Sequence, residues 1–217
     1  MNFVIPSAGS IGVFAVAATL LLLTPGPAVL YIVARSVEQG RIAGLASVFG
    51  ITTGTLVHVL ASTLGLSALL ASSAFAFALV KYAGAAYLIY MGARRILRRT
   101  DAPAAPSKLP RRSLGKLYRD GFIVNLLNPK TALFFLAFLP QFVDPARGAV
   151  PVQIAFLGLL FALMGLMSDG LYAMVAGTAG RWVKRRSRYL DWERYVTGSV
   201  FIGLGLTAAL AGGRKLS

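Results

Sequence analysis

The stretch "LLLTPGPAVLYIVARS", residues 21–36, places two prolines and a glycine inside a long apolar run. Pro25 and Pro27 have no backbone N–H group, and each disturbs the helical turn that precedes it. In a helix interior a proline costs about 3 kcal/mol relative to alanine. A chain keeps such a break where the freed backbone groups have a use, and the rest of the sequence indicates that use.

The composition is that of a membrane protein. Of the 217 residues 57% are hydrophobic and 13% are charged, and the mean hydropathy is +0.71. Apolar stretches recur along the whole length, which indicates that the solvent is a lipid bilayer. The net charge of +15 comes from basic residues clustered between apolar runs. This pattern is typical of cytoplasmic loops that face anionic lipid. We therefore predict that the chain contacts the anionic lipid of the cytoplasmic leaflet and does not bind nucleic acid.

The content of reactive side chains restricts the chemistry. The chain has no cysteine and one histidine, which excludes disulfides, thiol catalysis and cysteine metal sites and argues against a His-rich metal site. We therefore predict no catalytic residue, no metal and no cofactor. The N-terminus lacks a positively charged region before its apolar stretch, so we interpret that stretch as a retained first transmembrane helix and not a signal peptide.

Six stretches approach the length of about 20 apolar residues that a membrane-spanning helix needs. They are residues 11–34, 42–66, 73–93, 120–140, 152–175 and 195–212. The second and third are nearly continuous, so we predict a short turn between Gly65 and Ser73. Of the 22 Lys and Arg residues, 17 follow spans one, three and five. The positive-inside rule then places these loops in the cytoplasm and both termini outside.

The order of these spans predicts an all-α integral membrane protein with six transmembrane helices in two inverted halves. Residues 1–99 form the first three-helix half, residues 100–118 form a basic, Pro-rich cytoplasmic linker, and residues 119–217 form the second half. Because each half has an odd number of helices, the second is inverted relative to the first. Inverted repeats are typical of secondary transporters.

The first helix of each half carries a break. Span one contains Thr24-Pro25-Gly26-Pro27, and span four contains Asn128-Pro129-Lys130-Thr131. Counting at 1.5 Å per residue puts both breaks about 15 Å from the cytoplasmic surface, close to the membrane midplane. Half-helix ends there can offer N–H groups to a carboxylate and C=O groups to an ammonium group, which suits a zwitterion. The simpler alternative is that both prolines are packing kinks.

Two ionisable residues lie deep in the predicted spans. Asp169 is about 18 Å and Lys130 about 16 Å from the cytoplasmic surface. Facing lipid at a helix centre, each would cost about 2.5–3.5 kcal/mol. We therefore expect them to face each other inside the bundle, where Asp169 could carry a proton during transport. A static structural ion pair is the alternative.

Four polar residues, Lys81, His58, Arg35 and Glu38, are weaker candidates with simpler explanations, and two asparagines are open between two roles. Lys81 is expected to extend its ammonium group towards the outer surface. His58 is expected to be satisfied or interfacial, and a proton relay is the alternative. Arg35 and Glu38 are expected to form a solvated loop pair, with a cytoplasmic gate as the alternative. Asn125 and Asn128 are each expected either to form a hydrogen bond with the substrate or to cap the broken helix. The sequence does not separate these two roles.

A spacing of small residues predicts close packing of the second span. Ser47, Gly50 and Gly54 share one helix face, as in the small-xxx-small pattern that allows helix backbones to approach each other.

The motifs resemble those of the LysE/RhtB-type amino-acid exporters. The matching stretches include "LLLTPGPAVLYIVARSVEQGRIAGLASVFGITTGTLVHVLASTLGLSALL", "FALVKYAGAAYLIYMGARRIL" and "RDGFIVNLLNPKTALFFLAFLPQFVD", and the segment around Asp169 follows in the same order. The resemblance implies export of amino acids across a bacterial inner membrane by exchange for protons or ions. It also implies that seven residues match the family pattern: Pro25, Gly26, Pro27, Asn128, Pro129, Lys130 and Asp169. The family handles basic, neutral and sulfur-containing amino acids, so the substrate is open.

Two other functions would require different residues at depth. A six-helix transporter of metal or other inorganic ions would want several carboxylates or histidines at depth, and a membrane-embedded enzyme would want a nucleophile or an acid–base pair. The sequence offers little for either, so we predict an amino-acid exporter that is not an enzyme. A homo-oligomer is left open.

Overall fold

The computed structural model describes residues 5–72 and 111–183, with isolated positions between 75 and 97 and between 199 and 206. Within the two continuous ranges the chain forms α-helices and no strand. A π-helical segment (Phe134–Phe138) and two 3-10 turns (Leu139–Phe142 and Pro145–Arg147) follow the fifth helix. The α-helices are α1 (Ala8–Leu23), α2 (Pro27–Gln39), α3 (Arg41–Ser72), α4 (Leu114–Leu126), α5 (Pro129–Leu133) and α6 (Val150–Val183).

Two of the described helices have the length and composition of membrane spans by themselves. In this part of the chain α3 and α6 are each long and apolar enough to cross a membrane, and two bent pairs raise the number to four if each pair is one span. Large apolar side chains such as Val16, Leu60, Leu64 and Leu163 are exposed on the helix surfaces, which suits contact with lipid chains. Predicted spans 73–93 and 195–212 lie mainly outside the described residues, so the six-span inverted arrangement stays a prediction.

The predicted break in the first span is confirmed. α1 begins after Ser7, whose Oγ accepts a hydrogen bond of 3.2 Å from the Ser10 N–H. It ends at Leu23, and α2 begins with Pro27 at its first helical position, where the missing N–H is not needed. The two helices are bent by 51°. α2 ends at Gln39, and the next residue, Gly40, has a φ of +85° that suits glycine and turns the chain into α3.

The predicted break in the fourth span is also confirmed. α4 ends at Leu126, α5 begins with Pro129, and the bend between them is 45°. α4 begins at Leu114, six residues before the predicted start of this span. Its first turns are amphipathic, with Leu117 buried and Lys116 exposed. A prediction from the apolar run alone therefore places the start of the helix several residues too far along the chain. The π-helical segment after α5 is of a kind that often occurs at functional sites.

The turn predicted between Gly65 and Ser73 is wrong over residues 65–72. α3 continues as a helix through Ser72. The stretch "GLSALLAS", residues 65–72, contains no proline, and its leucines and alanines are strong helix formers. Nothing therefore ends the helix at Gly65, and the apolar run of the second span simply extends.

A close helix contact follows the small-residue face of α3, as predicted. A Cβ atom added to Gly50 would overlap the backbone carbonyl of Tyr118 on α4. A Cβ on Gly54 would lie 3.0 Å from the Phe122 carbonyl oxygen, and one on Gly121 would lie 2.6 Å from the Ser47 carbonyl oxygen. The backbones of α3 and α4 therefore touch directly, which only small residues permit.

A cluster of aromatic residues fills one side of the bundle, and we call it the phenylalanine cluster. The ring centroids of Phe134 and Phe161 are 4.3 Å apart, and those of Phe14 and Phe134 are 5.7 Å apart. These three side chains are at most 4% exposed. The cluster packs α1 and the π-helical segment against α6. Its members are Phe14, Phe134, Phe135, Phe138, Phe142 and Phe161.

Candidate functional site

A cavity lies where the two broken helices meet, and each of the described helices α1 to α6 contributes to its wall. Its charged lining consists of Lys130 from α5 and Asp169 from α6. Hydroxyl and amide groups come from Thr52, Thr55, Asn125, Asn128 and Thr131. The remaining wall is apolar or glycine: Leu21, Leu22, Gly26, Ala28, Ile51, Phe161, Ala162, Gly165 and Leu166.

Lys130 connects the second break to the first. Its side chain is 9% exposed, and Nζ donates a hydrogen bond to the carbonyl oxygen of Thr24, just beyond the end of α1. Gly26 leaves room for this crossing, because a Cβ there would lie 3.1 Å from Lys130 Cδ. A lysine ammonium group therefore sits at the negative end of a half-helix, the position that the helix dipole favours for a cation.

Asp169 supplies the opposite charge on the same cavity. It is 7% exposed, and Lys130 acts on it electrostatically. Gly165 lies one turn earlier on α6, and its missing side chain leaves open the wall beside the carboxyl group. Both predicted deep charges thus line one cavity inside the helix bundle.

At the first break, two carbonyl groups lose their helical donors because prolines occupy the donor positions. The Leu21 carbonyl would pair with the N–H of residue 25 and the Leu23 carbonyl with that of residue 27. The Thr24 N–H donates to the Leu21 oxygen instead (3.1 Å). The Tyr172 hydroxyl on α6 donates to the Leu23 oxygen (3.0 Å). Each freed acceptor is therefore satisfied, as a buried backbone requires.

The second break repeats this logic. Pro129 deprives the Asn125 carbonyl of its helical donor, and His58 Nε2 on α3 lies 3.2 Å from that oxygen. The Asn128 N–H reaches the same oxygen at 3.1 Å. The His58 ring also stacks on Phe135, with centroids 5.9 Å apart. His58 is thus a satisfied histidine, as expected, and its partner is the break itself.

The two asparagines hold the broken helix together. Asn125 Nδ2 donates to the Ile51 carbonyl and the Thr55 hydroxyl, both at 2.8 Å, and its Oδ1 accepts from the Thr131 hydroxyl at 2.9 Å. Asn128 Oδ1 accepts from the Lys130 N–H at 3.1 Å and so caps α5. Of the two roles left open by the sequence, the observed hydrogen bonds are those of the structural one.

The structure brings most of the predicted site residues together. Gly26, Asn125, Asn128, Lys130 and Asp169 line the cavity, and the backbone of Thr24 binds Lys130. The three prolines shape the backbone without lining the cavity. Pro25 is half-buried, and Pro27 and Pro129 are exposed on the helix surface.

Sequence reasoning missed the contribution of α3. Thr52 and Thr55 line the cavity from that helix, and Thr131 adds a third hydroxyl from α5. The sequence does contain a sign of these residues, because Thr52 and Thr55 lie three positions apart in a largely apolar helix. Reasoning from the proline breaks does not identify them. The apolar wall residues gave no signal, because they look like any core side chain.

The weaker candidates have different outcomes. The solvated position expected for Arg35 is wrong, since this residue is 4% exposed and lies within α2. It forms an ion pair with Glu38, with Nη1 and Oε2 3.9 Å apart. The reason is that α2 continues to Gln39 and packs against α3 and α6. Lys81 lies outside the described residues.

Comparisons with known proteins identify a family and several relatives of this chain. Residues 19–212 match the family model described as LysE type translocator. A homoserine/homoserine lactone efflux protein of Salmonella typhimurium is 31% identical over 193 residues, which cover 89% of this chain and 92% of that protein. An uncharacterized membrane protein of Pseudomonas aeruginosa is 31% identical over 197 residues, covering 88% of this chain and 90% of that protein. No solved structure gives a significant match. The chain belongs to the LysE-type translocator family.

Proposed function

We propose that this chain is a secondary transporter of the bacterial inner membrane that exports small neutral amino acids from the cytoplasm in exchange for protons. The observation that carries the proposal is the cavity between two broken helices, lined by one ammonium group and one carboxyl group. A zwitterion has the complementary pair. Family membership and the efflux relative support the same class of function.

Each charge has a role in this proposal. The carboxylate of the substrate binds the Lys130 ammonium group, and the α-ammonium group binds Asp169. When substrate enters, its ammonium group also competes for the Thr24 carbonyl oxygen that Lys130 now occupies. Lys130 then turns from the backbone towards the substrate carboxylate. Such a cavity can hold a zwitterion without leaving either buried charge unpaired, which would be costly.

The rest of the lining favours a neutral side chain. Once both charges are used for the backbone groups of the substrate, the described lining offers hydroxyl, amide and apolar groups only. A lysine or glutamate side chain would be buried there without an opposite charge. The Thr52 hydroxyl is the group that we assign to a substrate hydroxyl. The efflux relative is named for homoserine, an amino acid of this class.

Proton exchange is assigned to Asp169. A proton on the carboxyl group removes the charge that holds the substrate ammonium group, so proton binding and substrate binding compete. A proton that binds Asp169 from outside therefore promotes release of the amino acid on that side. The protonated, empty carrier then returns to the cytoplasmic side, where the proton leaves. The basic loops are assigned to the cytoplasm, so the ends of α2 and α6 face inwards.

The cavity chemistry supports metal transport less well. A divalent cation prefers several oxygen ligands, and the Lys130 ammonium group would repel it. The described wall supplies one carboxyl group. The charge pair therefore favours an amino acid over an inorganic cation.

The test is efflux from proteoliposomes loaded with labelled amino acids, with and without an inward proton gradient. The panel contains homoserine, threonine, serine, leucine, lysine and glutamate. We expect efflux of the neutral hydroxyl-bearing members to rise with the gradient and that of lysine and glutamate to stay at the level of protein-free liposomes. Absence of any amino-acid efflux, in protein shown to be folded and inserted, would overturn the proposal.

A further inference from the structure

A second group of polar side chains lies beyond the cavity on α2. Tyr31, Arg35 and Glu38 follow the cavity-lining Ala28 at intervals of three and four residues, so they continue along one face of the helix. We call these three residues the α2 polar cluster. It occupies the one to three helical turns between the cavity and the end of α2.

The guanidinium group of Arg35 is buried with few partners. Its side chain is 5% exposed, and that of Glu38 is 20% exposed. Arg35 Nη1 lies 3.9 Å from Glu38 Oε2, beyond hydrogen-bonding distance, and Cζ lies 5.5 Å from the Tyr31 ring centroid. Within the parts of the chain that the structure describes, Arg35 Nε, Arg35 Nη1 and Glu38 Oε2 have no hydrogen-bond partner.

Burying Arg35 and Glu38 in this way costs free energy. A buried charge that lacks its full set of hydrogen bonds loses hydration without adequate replacement. Water reaching Arg35 and Glu38 would supply the missing bonds. These missing hydrogen bonds raise the free energy of the arrangement observed here relative to one in which water reaches both side chains.

In the described ranges, three hydrogen bonds join this part of α2 to α4 and to Arg112, just before it. The Tyr31 hydroxyl donates to the Leu117 carbonyl at 3.4 Å. Gln39 forms two hydrogen bonds with the backbone of Arg112, at 2.9 and 3.0 Å. These are polar contacts that water can replace when α2 and α4 separate.

The opposite side of the cavity is closed by apolar aromatic packing instead of polar contacts. There the phenylalanine cluster packs at ring distances of 4.3 to 5.9 Å, and Phe161 belongs both to the cluster and to the cavity wall. Opening that side would expose several large buried rings to water, each worth about 1.5–3 kcal/mol of burial. Of the two closures, the α2 polar cluster is the easier one to open.

We propose that the α2 polar cluster is the cytoplasmic gate of the transport pathway, opened by hydration of the Arg35–Glu38 pair. The proposal rests on the proposed function for the direction of transport. Glu38 offsets the charge of Arg35 in the closed gate, so removing Glu38 alone favours the open gate. Replacing both charges with apolar side chains removes the buried polar groups and favours the closed gate.

The test measures access to the cavity directly. The chain has no cysteine, so Ala162→Cys places a single thiol in the cavity wall. A membrane-impermeant thiol reagent is applied to the cytoplasmic side in inverted vesicles and to the other side in right-side-out vesicles. We expect Glu38→Gln to raise the cytoplasmic labelling rate about tenfold, equivalent to 1.4 kcal/mol. We expect the double variant Arg35→Met/Glu38→Met to lower it below that of the parent.

Arg147→Gln is the matched control, because Arg147 forms an exposed i,i+3 pair with Asp144 away from the cavity. Its labelling rate should equal that of the parent. The proposal is overturned if Glu38→Gln leaves cytoplasmic labelling unchanged or lowers it, or if both charge variants shift it in one direction, as general loosening would. Glu38→Ala gives the same comparison if Glu38→Gln does not insert. Labelling needs no amino acid, so failure of the gate and failure of the export proposal are distinguishable.

Discussion

His58 Nε2 lies 3.2 Å from the carbonyl oxygen of Asn125, the acceptor that Pro129 leaves without a helical donor. Since a carbonyl only accepts, the N–H of His58 donates. The Tyr172 hydroxyl does the same at the other break, for the Leu23 oxygen that Pro27 leaves free. A side chain from a neighbouring helix therefore stabilises each proline break. The breaks are parts of the tertiary structure and more than local kinks.

His58 and Pro129 should be energetically coupled. His58→Phe keeps the ring against Phe135 but removes one donor to the Asn125 oxygen. The Asn128 N–H still reaches that oxygen, so the substitution should cost about 0.5–1.5 kcal/mol of stability, the net contribution of one hydrogen bond. Pro129→Ala restores a backbone N–H at the helical donor position, so His58→Phe should cost less in that background. Thermal unfolding in detergent of the four proteins in the cycle measures this difference. If His58→Phe costs the same in both backgrounds, His58 stabilises the protein by a route other than the Asn125 carbonyl.

Lys130 should be needed for substrate affinity. Lys130→Met keeps most of the length of the side chain but removes the charged donor. Hydrogen bonds to charged groups contribute about 1.5–3 kcal/mol, which corresponds to about 10- to 150-fold in apparent affinity. The apparent KM for homoserine in proteoliposomes measures the effect. Lys116→Met is the control, since Lys116 is exposed on α4, and it should leave KM unchanged. An unaltered KM in Lys130→Met would exclude the ammonium group from the binding site.

Asp169 should separate coupling from exchange. Asp169→Asn preserves the size of the side chain and one acceptor oxygen but binds no proton. We expect export driven by a pH gradient to be abolished, while exchange of labelled against unlabelled substrate continues with weaker affinity. Both assays use the same proteoliposomes, so the exchange signal reports whether the variant is folded. Full gradient-driven export by this variant would disprove the proton role.

Gly50 should tolerate no side chain. The Cβ of Gly50→Ala would overlap the Tyr118 carbonyl, and because a backbone atom cannot rotate away, α3 and α4 must separate. Overpacking of this kind costs about 1–3 kcal/mol, seen as a lower Tm in detergent. Gly12→Ala on α1 is the matched control, since nothing lies within 4 Å of its added Cβ. If both variants unfold at the same temperature, the α3–α4 contact is looser than the structure indicates.

Much of the candidate site was predictable because it depends on covalent properties of single residues. A proline lacks an N–H wherever it occurs, so Pro25, Pro27 and Pro129 predict broken helices without any knowledge of their neighbours. Asp169 and Lys130 are conspicuous because charges in apolar spans are costly. The same reasoning failed at Gly65, where a single glycine in a long apolar run does not end the helix.

The partners of these residues were not predictable from sequence. Arg35 resembles the basic end of a loop, and its burial follows from how α2 packs on its neighbours. Thr52 and Thr55 line the cavity from α3, and the small-residue face of the same helix packs against α4, a contact between residues about 70 positions apart.

The sequence alone determined that the chain belongs in a membrane, that two of its helices are broken and that two opposite charges lie deep within it, because hydropathy, missing donors and charge are properties of the residues themselves. The tertiary structure decided that both breaks and both charges meet at one cavity, that His58 and Tyr172 satisfy the freed carbonyls, and that Arg35 is buried. These outcomes depend on which helices pack together and at what rotation. That choice is made by many weak contacts between residues far apart in the chain.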